Sequence, residues 1–171
     1  KAAKSRRHTV TIAIKPQGLI SNYLTKQMPM ASVVDTSVPL GGFTLAKTSL
    51  DNKRLNPLLF IAGGSGITPM LGLITQALEI GHPVTLLHYS RSELSQLEHQ
   101  WQQLGDVHST FTYHLIRTDT PATYLAGERY LSADSLTALD LPLADTIIFA
   151  CGSQTLLAGL YKAVAEISLL E

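Results

Sequence analysis

The residue types most suited to chemistry lie in a glycine-rich turn that follows an apolar run. Residues 58–62 are apolar, 63–66 contain three glycines, and an amphipathic helical pattern begins near Pro69. Glycine lets a ligand approach the backbone closely, and the unpaired amides at the start of a helix attract an anion. Thr68 is expected to cap this helix, with Pro69 at its first position. The turn therefore predicts a binding site for a nucleotide pyrophosphate.

Two other interpretations of this turn stay open. The usual dinucleotide fingerprint has a third glycine where this chain has Pro69, so residues 63–66 could form a purely structural turn. Ser65 could instead be the nucleophile of a hydrolase, although Ile67 replaces a glycine of that pattern. Its candidate partners are Asp106, His108 and His114.

Two further candidate sites follow predicted strands. Ser90 and Arg91 follow the second strand, where NAD-specific sites usually place an acidic residue against the ribose. An arginine there suits a 2′-phosphate, and a solvated arginine with no specific role is the alternative. Residues 151–153 follow the last strand, and the lone Cys151 is either a small buried apolar residue or part of the site.

The elements that must position these residues alternate between strands and helices. We predict strands over 58–62, 83–89, 109–116 and 145–150, and helices over 69–80, 93–104, 132–139 and 154–167. Strands separated by helices of this length indicate right-handed βαβ units and a parallel sheet. Ligands bind at the carboxyl ends of the strands in such a sheet, where the candidate residues lie.

The first part of the chain has a different pattern. Alternating apolar residues predict a half-buried strand over 8–15, and β-branched or short apolar runs predict strands over 31–38 and 43–45. A short helix is expected within 18–27, and the polar residues 46–57 are expected to form a linker. This part is therefore predicted to be mainly β.

Composition narrows the classes of function. The 171 residues are 45% hydrophobic with a net charge of zero, which gives no reason to expect a nucleic acid partner. A single cysteine excludes an internal disulfide and an all-cysteine metal site, and it favours a reducing compartment such as the cytoplasm. The histidine spacing predicts no metal site, and we find no signal peptide or membrane-spanning run. Both ends look cut, so we expect a piece of a longer protein.

Four motifs resemble the ferredoxin–NADP reductase superfamily of two-domain flavoproteins. Residues 63–69 are similar to its nicotinamide-nucleotide turn, G-G-x-G-I-T-P, and residues 150–152 to its C-G-P motif. Residues 18–24 resemble the flavin motif G-x-x-S-x-x-L, and residues 39–45 the P-x-G-x-F-x-L strand. The resemblance covers nearly the whole chain. It implies part of an antiparallel β-barrel FAD-binding domain over 1–50 and a parallel α/β NAD(P)-binding domain over 55–171.

The resemblance also implies a role for each matched residue. Thr68 would lie between flavin and nicotinamide, and Cys151 would lie beside the nicotinamide ring during hydride transfer. FAD would be bound by Gly18, Ser21, Asn22 and Tyr23. NAD(P)H would be bound by Gly63, Gly64, Ser65, Gly66, Ile67, Ser90, Arg91, Gly152 and Ser153, with Ser90 and Arg91 holding the 2′-phosphate of NADPH.

The function implied is electron transfer from NAD(P)H through FAD to a ferredoxin, a flavodoxin or an oxygenase component. A 2Fe-2S cluster is expected only in a region outside this chain, because many relatives carry such a domain after this point. The family's R-x-Y-[ST] flavin motif is absent, and Ser153 stands where the family has proline. The missing motif supports an alternative, a non-catalytic nucleotide-binding or regulatory module that has lost the flavin.

Overall fold

The computed structural model describes residues 12–38, 40–45, 55–91 and 95–169, and the side chains of 95–97 are outside its description. The chain divides into two compact units between Gly42 and Phe43. The predicted domain limits, 1–50 and 55–171, stay a prediction, since the proposed linker falls mostly outside the described residues. Each unit is described separately below.

In the first unit, the described residues contain one helix, α1 (Leu19–Lys26), as predicted. The β-barrel strands are a correction: residues 12–17 and 31–38 form no strand, and the remainder of the predicted strand over 8–15 lies outside the described residues. A strand needs a neighbour to pair its backbone N–H and C=O groups, and the described part of this unit offers none. Side chains over 31–38 are accordingly exposed.

The third predicted barrel strand, 43–45, is also absent, and its residues belong to the second unit. Leu45 is buried in the core of that unit. The ring of Phe43 meets that of Phe149 edge-on, with 6.0 Å between centroids. Burial of these side chains against the α/β core stabilises a non-strand conformation here.

The second unit is built on a four-stranded parallel sheet, which confirms the predicted α/β class. Its strand order is β3-β2-β1-β4. The strands are β1 (Leu58–Gly63), β2 (Val84–Ser90), β3 (Phe111–Arg117) and β4 (Ile147–Cys151). Their carboxyl ends meet at one edge, called the carboxyl edge below.

Helices follow the strands as the pattern predicts. They are α2 (Met70–Ile80), α3 (Ser95–Val107), α4 (Ala133–Thr137) and α5 (Gln154–Ser168). Short 3₁₀ helices cover Gly64–Ile67, Pro121–Thr123 and Leu143–Asp145.

The start of α2 corrects the predicted cap. Pro69, not Thr68, is the N-cap residue, and the Thr68 hydroxyl donates to the carbonyl oxygen of Ser65 at 3.0 Å. The cause is the 3₁₀ helix that precedes α2, because it holds Thr68 in helical backbone geometry (φ −65°, ψ −41°).

The two faces of the sheet carry separate apolar cores. Phe60 and Ala62 point to the face covered by α2 and α3, whereas Leu59 and Ile61 point to the face covered by α4 and α5. Every residue of β2 is buried, as expected for a central strand covered on both sides. Helices packed on both faces hold the sheet in place, and the candidate site lies at its carboxyl edge.

Candidate nucleotide-binding site

The glycine turn presents an open backbone surface at the end of β1. Gly64 has φ +54°, and a Cβ added there would meet no atom within 4 Å. A 3₁₀ helix bonds each amide to the third carbonyl before it, so the first amides of Gly64–Ile67 have no acceptor within the helix. Open space at Gly64 beside amides that need an acceptor outside the helix suits anion binding.

The same turn is packed tightly against the loop that follows β4. Gly66 is buried, and a Cβ at this position would overlap the backbone oxygen of Cys151. A Cβ on Gly152 would lie 3.1 Å from the backbone nitrogen of Gly63. The two motifs found in the sequence are thus in backbone contact. Cys151, registered beside Ala62 of β1, is half-buried with a free thiol.

Leu156 of α5 fills the space beside both loops. Its Cδ2 atom would lie 2.8 Å from a Cβ on Gly63 and 2.7 Å from one on Gly152. The end of the Leu156 side chain can turn aside, but the Gly63 backbone at 3.1–3.2 Å cannot, so packing restricts Gly152 more than Gly63. Sequence reasoning missed Leu156, because its position is only one apolar place among several in an amphipathic helix.

Ser153 begins helix α5. Its hydroxyl accepts a hydrogen bond from the Leu156 amide at 3.3 Å, and its backbone lies at φ −66° and ψ 156°. Ser is a preferred N-cap residue. The residue that replaces the family's proline thus has both a proline-like φ and a capping role.

The carboxyl ends of β2 and β3 bring Ser90, Arg91 and Arg117 to one place. Ser90 is buried and its carbonyl accepts from the Thr118 amide at 3.0 Å, while Arg91 is exposed. Arg117 is registered beside Ser90, and its Nη2 lies 2.8 Å from Oε2 of Glu98 on α3. Sequence reasoning missed Glu98, because its partner Arg117 is distant in the chain.

A buried histidine lies near the glycine turn. His88 of β2 is fully buried and registered beside Ala62, and its Nδ1 lies 3.2 Å from the Tyr113 hydroxyl. Burial lowers the pKa of His88 and raises that of Tyr113. The Gly64 backbone and the Glu98 charge raise the pKa of His88 in opposition to burial, and the Arg117 charge lowers it further.

In the first unit, the predicted FAD residues surround the start of α1. The Ser21 hydroxyl accepts from the amides of Gln17 at 3.0 Å and Gly18 at 2.9 Å, and it donates to the Gly18 carbonyl. The Asn22 side chain also donates to that carbonyl at 2.9 Å. Ser21 and Asn22 therefore order the turn from which α1 begins. Tyr23 is 47% exposed.

The hydrolase interpretation of Ser65 is wrong on geometry. Asp106 is near the end of α3 and His108 precedes β3, so both lie at the amino edge of the parallel sheet. His114 is in the middle of β3, registered beside Leu87, two strands away from β1. Ser65 follows β1 at the opposite, carboxyl edge, so none of these three can contact it.

The family model for the oxidoreductase NAD-binding domain matches residues 60–162. The chain belongs to this family. The predicted membership of the ferredoxin reductase-like superfamily is confirmed by this match together with the relatives below. The matched residues contain the glycine turn, both arginines of the carboxyl edge and the Cys151–Ser153 loop.

Curated relatives of two kinds match most of this chain. Flavohemoprotein A of Dictyostelium discoideum is 28% identical over 163 residues, covering 89% of this chain and 36% of that protein. The ferredoxin–NAD(P)(+) reductase component of the naphthalene 1,2-dioxygenase/salicylate 5-hydroxylase systems of Ralstonia sp. is 28% identical over 159 residues, covering 91% of this chain and 46% of that protein. The chain thus spans less than half the length of these relatives.

Solved structures show the same fold. Amycolatopsis cytochrome P450 reductase GcoB has a TM-score of 0.65 at 19% identity, covering 90% of this chain and 46% of that one. The flavohemoglobin of Malassezia yamatoensis, determined with bound FAD and heme, has a TM-score of 0.66 at 21% identity, covering 91% of this chain and 39% of that one.

No helix among the described residues is long and apolar enough to cross a bilayer. Nor does the described part of the chain bring together three or more His, Cys, Asp or Glu side chains that could hold a metal ion.

Proposed function

We propose that this chain is part of a flavoprotein reductase that passes electrons from NAD(P)H through FAD to a redox protein. The observation that carries the proposal is the backbone contact between the glycine turn and the Cys151–Gly152 loop. It leaves the Gly64 surface open at the carboxyl edge and brings Cys151 beside it. Family membership and the reductase and flavohemoprotein relatives support the same class.

The residues of the second unit would bind and orient the nicotinamide nucleotide. The amides of Gly64–Ile67 would bind the pyrophosphate, and Ser90 and Arg91 would hold the ribose and any 2′-phosphate. Thr68 and Cys151 would line the nicotinamide end, with Gly152 and Ser153 shaping its wall. These residues would set the position of the nicotinamide ring and the electrostatic environment around it.

The start of α1 would bind the pyrophosphate of FAD. Hydrogen bonds of Ser21 and Asn22 order this turn, the first amides of a helix have no carbonyl partner within it, and Tyr23 is exposed on the same helix. The chemistry that FAD supplies when bound is hydride acceptance followed by release of single electrons.

The electron acceptor we propose is a ferredoxin, a flavodoxin or an oxygenase component. The Ralstonia relative, a reductase component of dioxygenase and hydroxylase systems, supports this choice. We also propose a cytoplasmic location, since one cysteine cannot form an internal disulfide. A 2Fe-2S cluster, if the whole protein has one, would be held outside this chain.

A visible spectrum of the purified protein, before and after anaerobic NADPH addition, tests the proposal. Flavin bands that bleach with NADPH are the expected result. Absence of flavin even after FAD is added, with NADPH still bound in calorimetry, would instead establish the non-catalytic nucleotide-binding module. A Ser65→Ala variant should keep full flavin reduction, because Ser65 supplies no side-chain chemistry.

A further inference from the structure

The ion pair between Glu98 and Arg117 lies where the second and third strands end. Its atoms are 2.8 Å apart, and the side chains are only 12% and 20% exposed. An ion pair this deeply placed interacts more strongly with a nearby charge than a fully solvated pair would. It is positioned by two independent contacts: Arg117 pairs in register with Ser90, and the Arg117 amide donates to the Thr123 hydroxyl at 2.8 Å.

The pair adjoins the residues proposed to meet the adenosine ribose. Arg91 follows Ser90 directly, and no carboxylate in the part of the chain that the structure describes pairs with Arg91. Among the side chains that the structure describes, this corner has two arginines and one glutamate, which leaves one net positive charge. A 2′-phosphate carries between one and two negative charges at neutral pH. The Glu98 carboxylate therefore cancels half of the positive charge that such a phosphate would meet.

We infer that Glu98 is a specificity-determining residue that weakens the preference of this site for NADPH over NADH by neutralising Arg117. The inference rests on the proposed function, because it concerns the same nucleotide site. The charge of Glu98 repels a 2′-phosphate and engages one N–H of Arg117. NADH has no phosphate there, so its affinity responds less to this charge.

The variant Glu98→Gln isolates the charge from the geometry. The glutamine side-chain oxygen still accepts a hydrogen bond from Arg117, so the guanidinium keeps its place while the negative charge is gone. The matched control is Glu79→Gln, which removes the same charge from an exposed position in the last turn of α2, at the amino edge. A second variant, Arg117→Gln, removes the positive charge of the pair while Glu98 stays in place, and it should act in the opposite direction.

The experiment is calorimetric binding of 2′,5′-ADP and of ADP to the protein and its variants at low salt, with folding checked by circular dichroism. The readout is the ratio of the two dissociation constants. Glu98→Gln should raise the preference for 2′,5′-ADP about tenfold, Arg117→Gln should lower it, and Glu79→Gln should change it less than about twofold. Combining Glu98→Gln with Arg117→Gln should remove most of the gain.

The outcomes separate this inference from the proposed function. If both nucleotides bind and the ratio stays constant in both Glu98→Gln and Arg117→Gln, the inference is overturned while the nucleotide site stands. A lower ratio in Glu98→Gln would also overturn it, since Glu98 would then be needed to hold Arg117 for the phosphate. If neither nucleotide binds to the folded protein, both the proposed function and the inference fail.

Discussion

Gly66 lies directly against the backbone oxygen of Cys151, with no room for a Cβ between them. A methyl group there would also lie 2.6 Å from the Cys151 carbonyl carbon, and backbone atoms cannot turn aside as a side chain can. This contact joins the loop after β1 to the loop after β4. It explains in physical terms why residue 66, the last of the glycine turn, is a glycine.

The first prediction follows from that contact. Gly66→Ala should lower the free energy of unfolding by about 1–3 kcal/mol, because a methyl group is forced into filled space. Urea unfolding of both proteins measures the loss. Gly72→Ala is the control: Gly72 is exposed within α2 and its Cβ would meet nothing within 4 Å. Alanine there should raise stability by about 0.5–1 kcal/mol. Equal stability of the two variants would contradict the contact.

The second prediction concerns the open surface above the turn. Gly64→Ala introduces a methyl group where φ is +54° and where the pyrophosphate is proposed to approach. We expect it to cost about 1–2 kcal/mol of stability and, in addition, to weaken NADH binding severalfold.

A strained glycine elsewhere separates these two effects. Gly81, the left-handed cap at the end of α2, has φ +103° and lies at the amino edge of the sheet. Gly81→Ala should lower stability and leave the NADH dissociation constant as it is. Calorimetry of folded protein compares the two variants. Undiminished binding in Gly64→Ala would remove Gly64 from the nucleotide site.

Much of the second unit could be predicted from the sequence because its signals are local. The buried run of β1, the glycines after it and the 3.6-residue periods of α2 and α5 each identify their element without outside help. The structure confirms the existence and order of these elements, with ends shifted by a residue or two. The parallel sheet follows from their alternation.

The other parts of the fold and site depend on contacts between residues distant in the chain, which a local sequence pattern does not reveal. Residues 31–38 read as a strand, but pairing partners decide strands, and the described residues provide none. Thr68 is a residue type preferred at the N-cap, but the 3₁₀ helix before it holds its backbone in helical geometry. Glu98 and Arg117 lie on different elements that are distant in the chain. No local sequence pattern therefore identifies them as an ion pair.

The third prediction tests coenzyme preference through Arg91. Arg91→Ala should reduce the NADPH-over-NADH preference by about 1.5–3 kcal/mol, the worth of a charge-assisted hydrogen bond to phosphate. Steady-state kcat/KM with each coenzyme gives the ratio. Lys162→Ala on α5 removes an equal charge from an exposed i,i+4 pair with Glu166 and should leave the ratio unchanged. A parallel fall with both coenzymes would argue against a phosphate contact.

The fourth prediction is a loss of stability on mild acidification. Burial holds the pKa values of His88 and His114 below 6.5, so the unfolded chain takes up protons at a higher pH than the folded chain does. Stability is therefore complete above about pH 6.5 and falls as the pH drops below it, by at most about 1.4 kcal/mol per pH unit for each histidine.

Single variants divide this pH dependence between the two histidines. His88→Gln and His114→Gln should each flatten the change in unfolding free energy between pH 7 and pH 5.5. His88 should account for the larger share, since it is fully buried and His114 only partly. Urea titrations at both pH values provide the comparison. An unchanged slope in His88→Gln would mean that His88 titrates as a solvated histidine does.

The fifth prediction concerns the start of α5, where Ser153 stands in place of the family's proline. Ser153→Ala should cost about 1 kcal/mol through loss of the hydrogen bond to the Leu156 amide. Ser153→Pro loses the same bond, but φ is already −66°, so the ring fits without strain and restricts the unfolded chain. We expect that gain, about 0.4–1 kcal/mol, to bring the proline variant back near the parent protein. Thermal melts of the three proteins rank them, and a proline variant less stable than the alanine variant would show that the Ser153 backbone N–H has a partner of its own.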